Sequence, residues 1–150
     1  MIRVLFDIDV LLDVIEERAP HVDASSEALG HAEVGNIQGF IAAHSLPTIF
    51  YLVDRQKGRD AAYEAIRLLI RLLEVVAVDH DRLTQALGPG WSDFEDALQA
   101  GCASHAGVDV LLTRNTKDYK EVSFAVEDPD RFLTRPEFLP LPDQLEEGSV

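Results

Sequence analysis

Val4-Leu5-Phe6-Asp7-Ile8-Asp9-Val10-Leu11-Leu12-Asp13 is an apolar run that meets closely spaced carboxylates at residue 7. Residues 2–6 read as a fully buried strand, since Val4–Phe6 is continuously apolar rather than alternating. A carboxylate directly after that strand stands at the carboxyl edge of a parallel sheet, where open α/β sheets hold their ligands. Two further regions carry acids: Asp93-Phe94-Glu95-Asp96, and Thr113-Arg114-Asn115-Thr116-Lys117-Asp118. Together the three raise the case for a metal site.

Working outward, a helix is expected from near Val10, ended or interrupted by Pro20. A second runs from Val22 to Val34, before the Gly35-Asn36 turn signal. Gly39–Ala43 gives strand two. Pro47 suits the first turn of the next helix, with Ser45 as its cap. The spacing predicts a helix over 60–73, with Ala62, Ile66, Leu69, Ile70 and Leu73 as its apolar stripe. Glu74–Val78 is strand three. A short helix starts at Asp79 or His80, and another spans about Asp93 to His105, with Ala97, Leu98, Gly101, Cys102 and His105 inward. Val108–Leu112 is strand four, Ser123–Val126 a short fifth, and Pro129–Leu133 a brief helix. Strand–helix alternation implies a three-layer α/β/α domain with a mainly parallel central sheet. The expected division is a domain over 1–135 and a proline-containing acidic tail over 136–150.

The 150 residues suit one domain with a sizeable core. No stretch approaches the roughly 20 apolar residues that span a bilayer. Met1-Ile2-Arg3 leads straight into core strand rather than a secretory signal. The single cysteine, Cys102, forms no internal disulfide and reads as inert helix packing, so an intracellular, cytoplasmic location is expected. A net charge of −14 argues against a broad cationic nucleic-acid surface and suits a basic partner.

Asp7, Asp96 and Asp118 are expected at one rim of the sheet, after strand one, in the first turn of a helix, and beyond strand four. Asp93, three residues before Asp96, shares its helix face; Asp9 lies near Asp7. Clustered carboxylates repel, so at neutral pH they need protons, water or cations between them. Oxygen donors favour Mg²⁺ or Mn²⁺, which prepare water for attack on phosphorus. Each residue also has an ordinary reading: strand-end acid for Asp7, helix cap for Asp93, dipole partner for Asp96, loop acid for Asp118, turn-formers for Thr113 and Asn115.

Phe6–Asp13, Asp93-Phe94-Glu95-Asp96-Ala97-Leu98-Gln99 and Leu112–Tyr119 together resemble the PIN-domain family, in its VapC-like group that includes toxin endoribonucleases. The resemblance covers about residues 2–133. It implies a parallel sheet in 3-2-1-4-5 order and Mg²⁺- or Mn²⁺-dependent RNA cleavage. Asp7 and Asp96 match the family's acids on strand one and the later helix. Its Thr-x-Asp appears as Thr113-Arg114-Asn115, with Asp118 three residues on. Asn115 then stands as a neutral ligand or phosphate positioner and Asp118 as the source of charge. The acid on the helix after strand two is replaced by Ser45-Leu46-Pro47-Thr48-Ile49-Phe50-Tyr51. Ser45 or Thr48 can orient water or phosphate, while Asp93 compensates from the other side. One metal instead of two, slow turnover or lost catalysis are the consequences open at this point.

The resemblance also implies dimers and, for toxins, an antitoxin whose basic segment blocks the cleft. Two other readings stand beside it. Asp7-Ile8-Asp9 is similar to the nucleophile and acid of haloacid-dehalogenase-like phosphatases, which accounts less well for Asp96 and the Asn115–Asp118 region. A PIN-fold interaction protein with a weakened site is the non-enzymatic one. Arg55, Lys57, Arg59, Arg67 and Arg71 either guide RNA or form a solvated face. Trp91 either stacks on a base or packs the start of its helix. His44 and His105 lack zinc-ligand spacing and read as structural.

Overall fold

The computed structural model describes residues 1–119 and 122–138. Five strands form one parallel sheet: β1 (Ile2–Phe6), β2 (Ile37–Ala42), β3 (Glu74–Val76), β4 (Val110–Leu112) and β5 (Ala125–Glu127). Their order is β3-β2-β1-β4-β5, as the family resemblance implies. The helices are α1 (Ile8–Ile15), α2 (Val22–Glu33), α3 (Ser45–Lys57), α4 (Arg59–Leu72), α5 (His80–Ala86), α6 (Phe94–Ala106) and α7 (Pro129–Phe132). Short 3₁₀ turns span Thr116–Asp118 and Pro136–Phe138. No described helix is long and apolar enough to cross a membrane.

Alternation along β1 divides the core. Val4 and Phe6 face one layer, with Val10 and Leu11 of α1, Ala28 of α2, Ile49 and Val53 of α3, Leu69 of α4 and Phe132 of α7. Leu5 faces the other layer, with Phe40, Cys102, Ala103 and Leu111. Burial pushes the Cys102 thiol up to about 11, which keeps it protonated and unreactive. Gly39 is dictated by packing, because a Cβ there would lie 2.5 Å from Leu73 Cδ2 and 3.1 Å from Ala32 Cβ.

Several local expectations shift. Helix α1 begins at Ile8 because Asp7 caps it, and ends at Ile15, well before Pro20, as Glu17 turns out with φ 51°. Strand β2 starts at Ile37, while β3 and β4 are three residues each. Ser45 is the first residue of α3 rather than its cap; the cap position is His44, which makes no side-chain cap bond. The α4 stripe is Ala62, Ala65 and Leu69, and Ile70 is exposed. His105 is exposed, since Ala103 and Val108 fill that edge of the core. In the segment assigned to the tail, Phe138 packs on Phe132 and His31; residues 139–150 lie outside the described residues.

The topology fixes where a ligand goes. The chain runs outward from β1 to β2 on one side and reaches β4 on the other, so the crevice between β1 and β4 is the switch point. Phe6 pairs with Leu112, and the Asp7 N–H donates to the Leu112 carbonyl at 2.9 Å. Asp7 and Thr113 therefore leave the sheet side by side.

Candidate metal centre at the sheet rim

Asp7 gathers four donors. Its Oδ1 accepts from the Ile8 N–H and from Gln99 Nε2, both at 2.8 Å. Its Oδ2 accepts from Thr113 Oγ1 at 2.8 Å and lies 3.4 Å from the Tyr119 hydroxyl. Thr113, itself fully buried, donates to Asp7 and accepts from the Asn115 N–H at 3.1 Å, so its hydroxyl is used on both sides.

Helix α6 supplies the second acid. Asp93 caps it, accepting from the Asp96 N–H at 2.9 Å, which places Asp96 in the first turn. Asp96 Oδ1 lies 3.3 Å from the same Tyr119 hydroxyl that approaches Asp7. A phenol has one proton and serves one carboxylate at a time. Tyr119 is buried against the other core and stands edge-on to Trp91, with ring centroids 6.1 Å apart. Trp91 thus packs at the start of α6.

The remaining acids take different places. Asp9 turns toward the β4 loop: its Oδ2 accepts from the Arg114 N–H at 3.0 Å and from Asn115 Nδ2 at 3.3 Å. It fastens that loop, with its Oδ2 also 3.5 Å from the Thr113 hydroxyl that binds Asp7. Asp118 lies exposed on its 3₁₀ turn, and its charge is felt at Asp96. Ser45 is fully buried with an unpaired hydroxyl among the described residues, and Thr48 Oγ1 turns back on its own helix toward the His44 carbonyl at 3.4 Å. Glu95, Gln99, Tyr119 and His44 were not singled out as site residues by sequence reasoning. Only Gln99 carries a signal, its spacing of three from Asp96 on one helix face.

Burial, with charge repulsion added, marks the site. Burial, then the Asp7 charge, raises Asp9 to about 6, against the pull of the Arg114 backbone N–H and guanidinium and the Val10 N–H. Asp96 also rises to about 6, through burial and the charges of Asp93, Asp118 and Asp7, while the Tyr119 hydrogen bond opposes. Glu95 is raised by burial and by Asp7 and Asp93. Burial, then Asp7 and Asp96, holds Tyr119 far above the usual phenol range, so it stays a neutral donor. Burial lowers His44 despite the attraction of Asp7, leaving a neutral imidazole.

These shifts set a pH dependence. From about pH 4 to 6 folded Asp9 and Asp96 keep protons that the unfolded chain has released, so stability falls as pH rises through that window. In EDTA the protein is expected to melt higher at pH 5 than at pH 7.5, and Asp96→Asn to shrink the difference. Mn²⁺ reverses the preference, since a cation needs the ionised carboxylates. A thermal melt at both pH values decides it; a melting temperature that rises with pH in EDTA contradicts the assignment.

The donors suit one hard cation. Among the described residues no three His, Cys, Asp or Glu side chains form a group able to hold a metal ion. Mg²⁺ does not require such a cage: it keeps several waters and binds through one or two carboxylates plus substrate phosphate. Asp7 and Asp96, facing a common hydroxyl, make such a pair.

A PIN domain model matches residues 3–117, and the chain belongs to that family. Solved structures show the same fold. A toxin–antitoxin complex from Klebsiella pneumoniae is 20% identical with a TM-score of 0.64, the match covering 84% of this chain and 97% of that one. VapBC2 from Rickettsia felis, bound to a promoter DNA fragment, is 17% identical with a TM-score of 0.63, covering 85% and 98%. VapC20 from Mycobacterium tuberculosis, a toxin that cleaves the sarcin–ricin loop, is 15% identical with a TM-score of 0.59, covering 72% and 86%. No curated protein is similar enough in sequence to count as a relative.

Proposed function

We propose that this PIN domain is a metal-dependent endoribonuclease that hydrolyses RNA phosphodiester bonds at the β1–β4 rim. The observation that carries the reading is the meeting of Asp7 and Asp96 on one Tyr119 hydroxyl at the switch point. Asp7 and Asp96 would hold a single Mg²⁺ or Mn²⁺, which supplies a polarised phosphate and a water acidic enough to attack it. Thr113 and Gln99 fix the Asp7 carboxylate by hydrogen bonds to its two oxygens. Asp9 holds Asn115, a neutral donor beside the phosphate site, and Asp93 sets the first turn of α6. Asp118 adds charge at the open side. Neutral Tyr119 donates to whichever carboxylate oxygen is free.

The chain is further proposed to be the toxin of a toxin–antitoxin pair, acting in the cytoplasm as a homodimer. Three similar folds come from such toxins or their complexes, and an acidic rim on a chain of net charge −14 suits a basic inhibitory segment. A second reading, an interaction protein with a weakened site, draws on Ser45, whose buried hydroxyl lies in the first turn of α3 and brings no charge. The deciding experiment incubates the protein with a pool of structured and single-stranded RNA in Mn²⁺, Mg²⁺ or EDTA. The expected result is cut RNA in either metal and intact RNA in EDTA. Intact RNA throughout, from folded protein that binds Mn²⁺, favours the interaction protein.

A further inference from the structure

Gln99 is fully buried, an uncommon place for a primary amide. Its two polar atoms are treated unequally. Nε2 donates to Asp7 Oδ1 at 2.8 Å, while Oε1 is buried with no hydrogen-bond partner among the described residues. A buried acceptor left unmet costs about 1–3 kcal/mol, so a fully enclosed one calls for a ligand. The amide cannot simply turn over to satisfy itself, because that would aim its oxygen at the Asp7 carboxylate. Its neighbours give no relief: Thr113 is spent on Asp7, and no donor meets Oε1 among the described residues. The helix sets the amide three residues after Asp96, on the same face of α6 and against Asp7. The unmet atom is a hard oxygen donor, of the class that takes Mg²⁺ and Mn²⁺.

We propose that Gln99 is a third, neutral oxygen ligand of the cation held by Asp7 and Asp96, contributing Oε1 while Nε2 keeps Asp7 in place. This rests on the metal site proposed above. It explains how the rim binds a cation without a third carboxylate: the amide adds a donor and no further repulsion. It also makes Gln99 distinct from a residue that only braces Asp7, since bracing uses the nitrogen alone.

The test is calorimetric titration of the full chain with MnCl₂ alone, comparing the parent with Gln99→Met, Gln99→Glu and Asp7→Asn. Gln99→Met removes both polar atoms at similar volume and is expected to weaken Mn²⁺ binding at least tenfold. Gln99→Glu keeps an oxygen and adds charge; it is expected to bind Mn²⁺ more tightly than the parent while melting lower in EDTA. A residue that merely braces Asp7 would lose affinity in both variants, because both lack the donated N–H. Parent-like affinity in Gln99→Met, or weaker binding in Gln99→Glu, overturns the proposal, and the second result still decides if Gln99→Met does not fold. Asp7→Asn separates the two levels. Lost binding there beside parent-like Gln99→Met sinks Gln99 alone, whereas retained binding in Asp7→Asn sinks the metal site and this ligand with it.

Discussion

Asp7→Asn and Asp96→Asn are each expected to lower Mn²⁺-dependent RNA cleavage at least about 100-fold while leaving a folded domain. Losing a supporting group around a metal commonly costs 10–100-fold, and losing a charged ligand exceeds that. The fold survives at residue 7 for a local reason. Asparagine caps a helix as well as aspartate, so the Ile8 N–H keeps its acceptor. With its oxygen at the Oδ1 position asparagine keeps both the Ile8 and Gln99 donors, and its amide N–H at the Oδ2 position can donate to Thr113 Oγ1 once that hydroxyl turns. At residue 96 the change removes a charge that Asp93, Asp118 and Asp7 all oppose, so the metal-free variant is expected to be at least as stable as the parent. Circular dichroism and melting temperature, measured beside cleavage of the RNA pool, separate the two effects. Activity retained in both variants refutes the assignment. Activity lost together with the fold refutes the local argument.

What could be read from the chain and what could not follow from the range of the interactions. The strand order is legible only through the family resemblance, whereas the placement of Asp7, Asp93 and Asp96 is legible because each depends on neighbours a few residues away. The apolar run Val4–Phe6 marks the end of β1, an acid follows it, and Asp93 caps α6 directly before its first residue. Strands of three residues have blurred ends in the sequence, since β3 and β5 owe their existence to pairing with β2 and β4 rather than to their own length. Ser45 has the composition of a cap, but tertiary packing buries it inside the helix. The second tier of the site was hidden for the same reason. Tyr119 sits in a polar loop, and nothing near it in sequence announces that its hydroxyl reaches two acids from other elements. Asp9 has the local spacing of a partner to Asp7, and only the β4 loop decides that its carboxylate holds Arg114 and Asn115.

The contact with no local signature at all is also the one whose loss should cost the most stability. Asp13 on α1 is fully buried, and Arg114 Nε lies 2.8 Å from its Oδ2. The approach is an ion pair rather than an aligned hydrogen bond, for that N–H finds no acceptor in line. Ser25 Oγ donates to the same carboxylate oxygen at 3.2 Å, and Asp13 Oδ1 has no partner among the described residues. One cation therefore offsets a charge wholly removed from water. Arg114→Met leaves that charge with a single hydroxyl, and breaking a buried pair from one side costs about 3–5 kcal/mol. For a domain of this size the melting temperature is expected to fall by about 10 °C. Replacing both partners, Arg114→Met with Asp13→Leu, removes the stranded charge and is expected to recover much of the loss, because an apolar pair of similar volume often matches a buried ion pair. The same arginine carries the backbone N–H that holds Asp9 and lies between Thr113 and Asn115. Stability and site geometry are joined there. The double variant should regain its melting temperature more fully than its cleavage rate, whereas equal recovery of both would show that the ion pair does not position the loop.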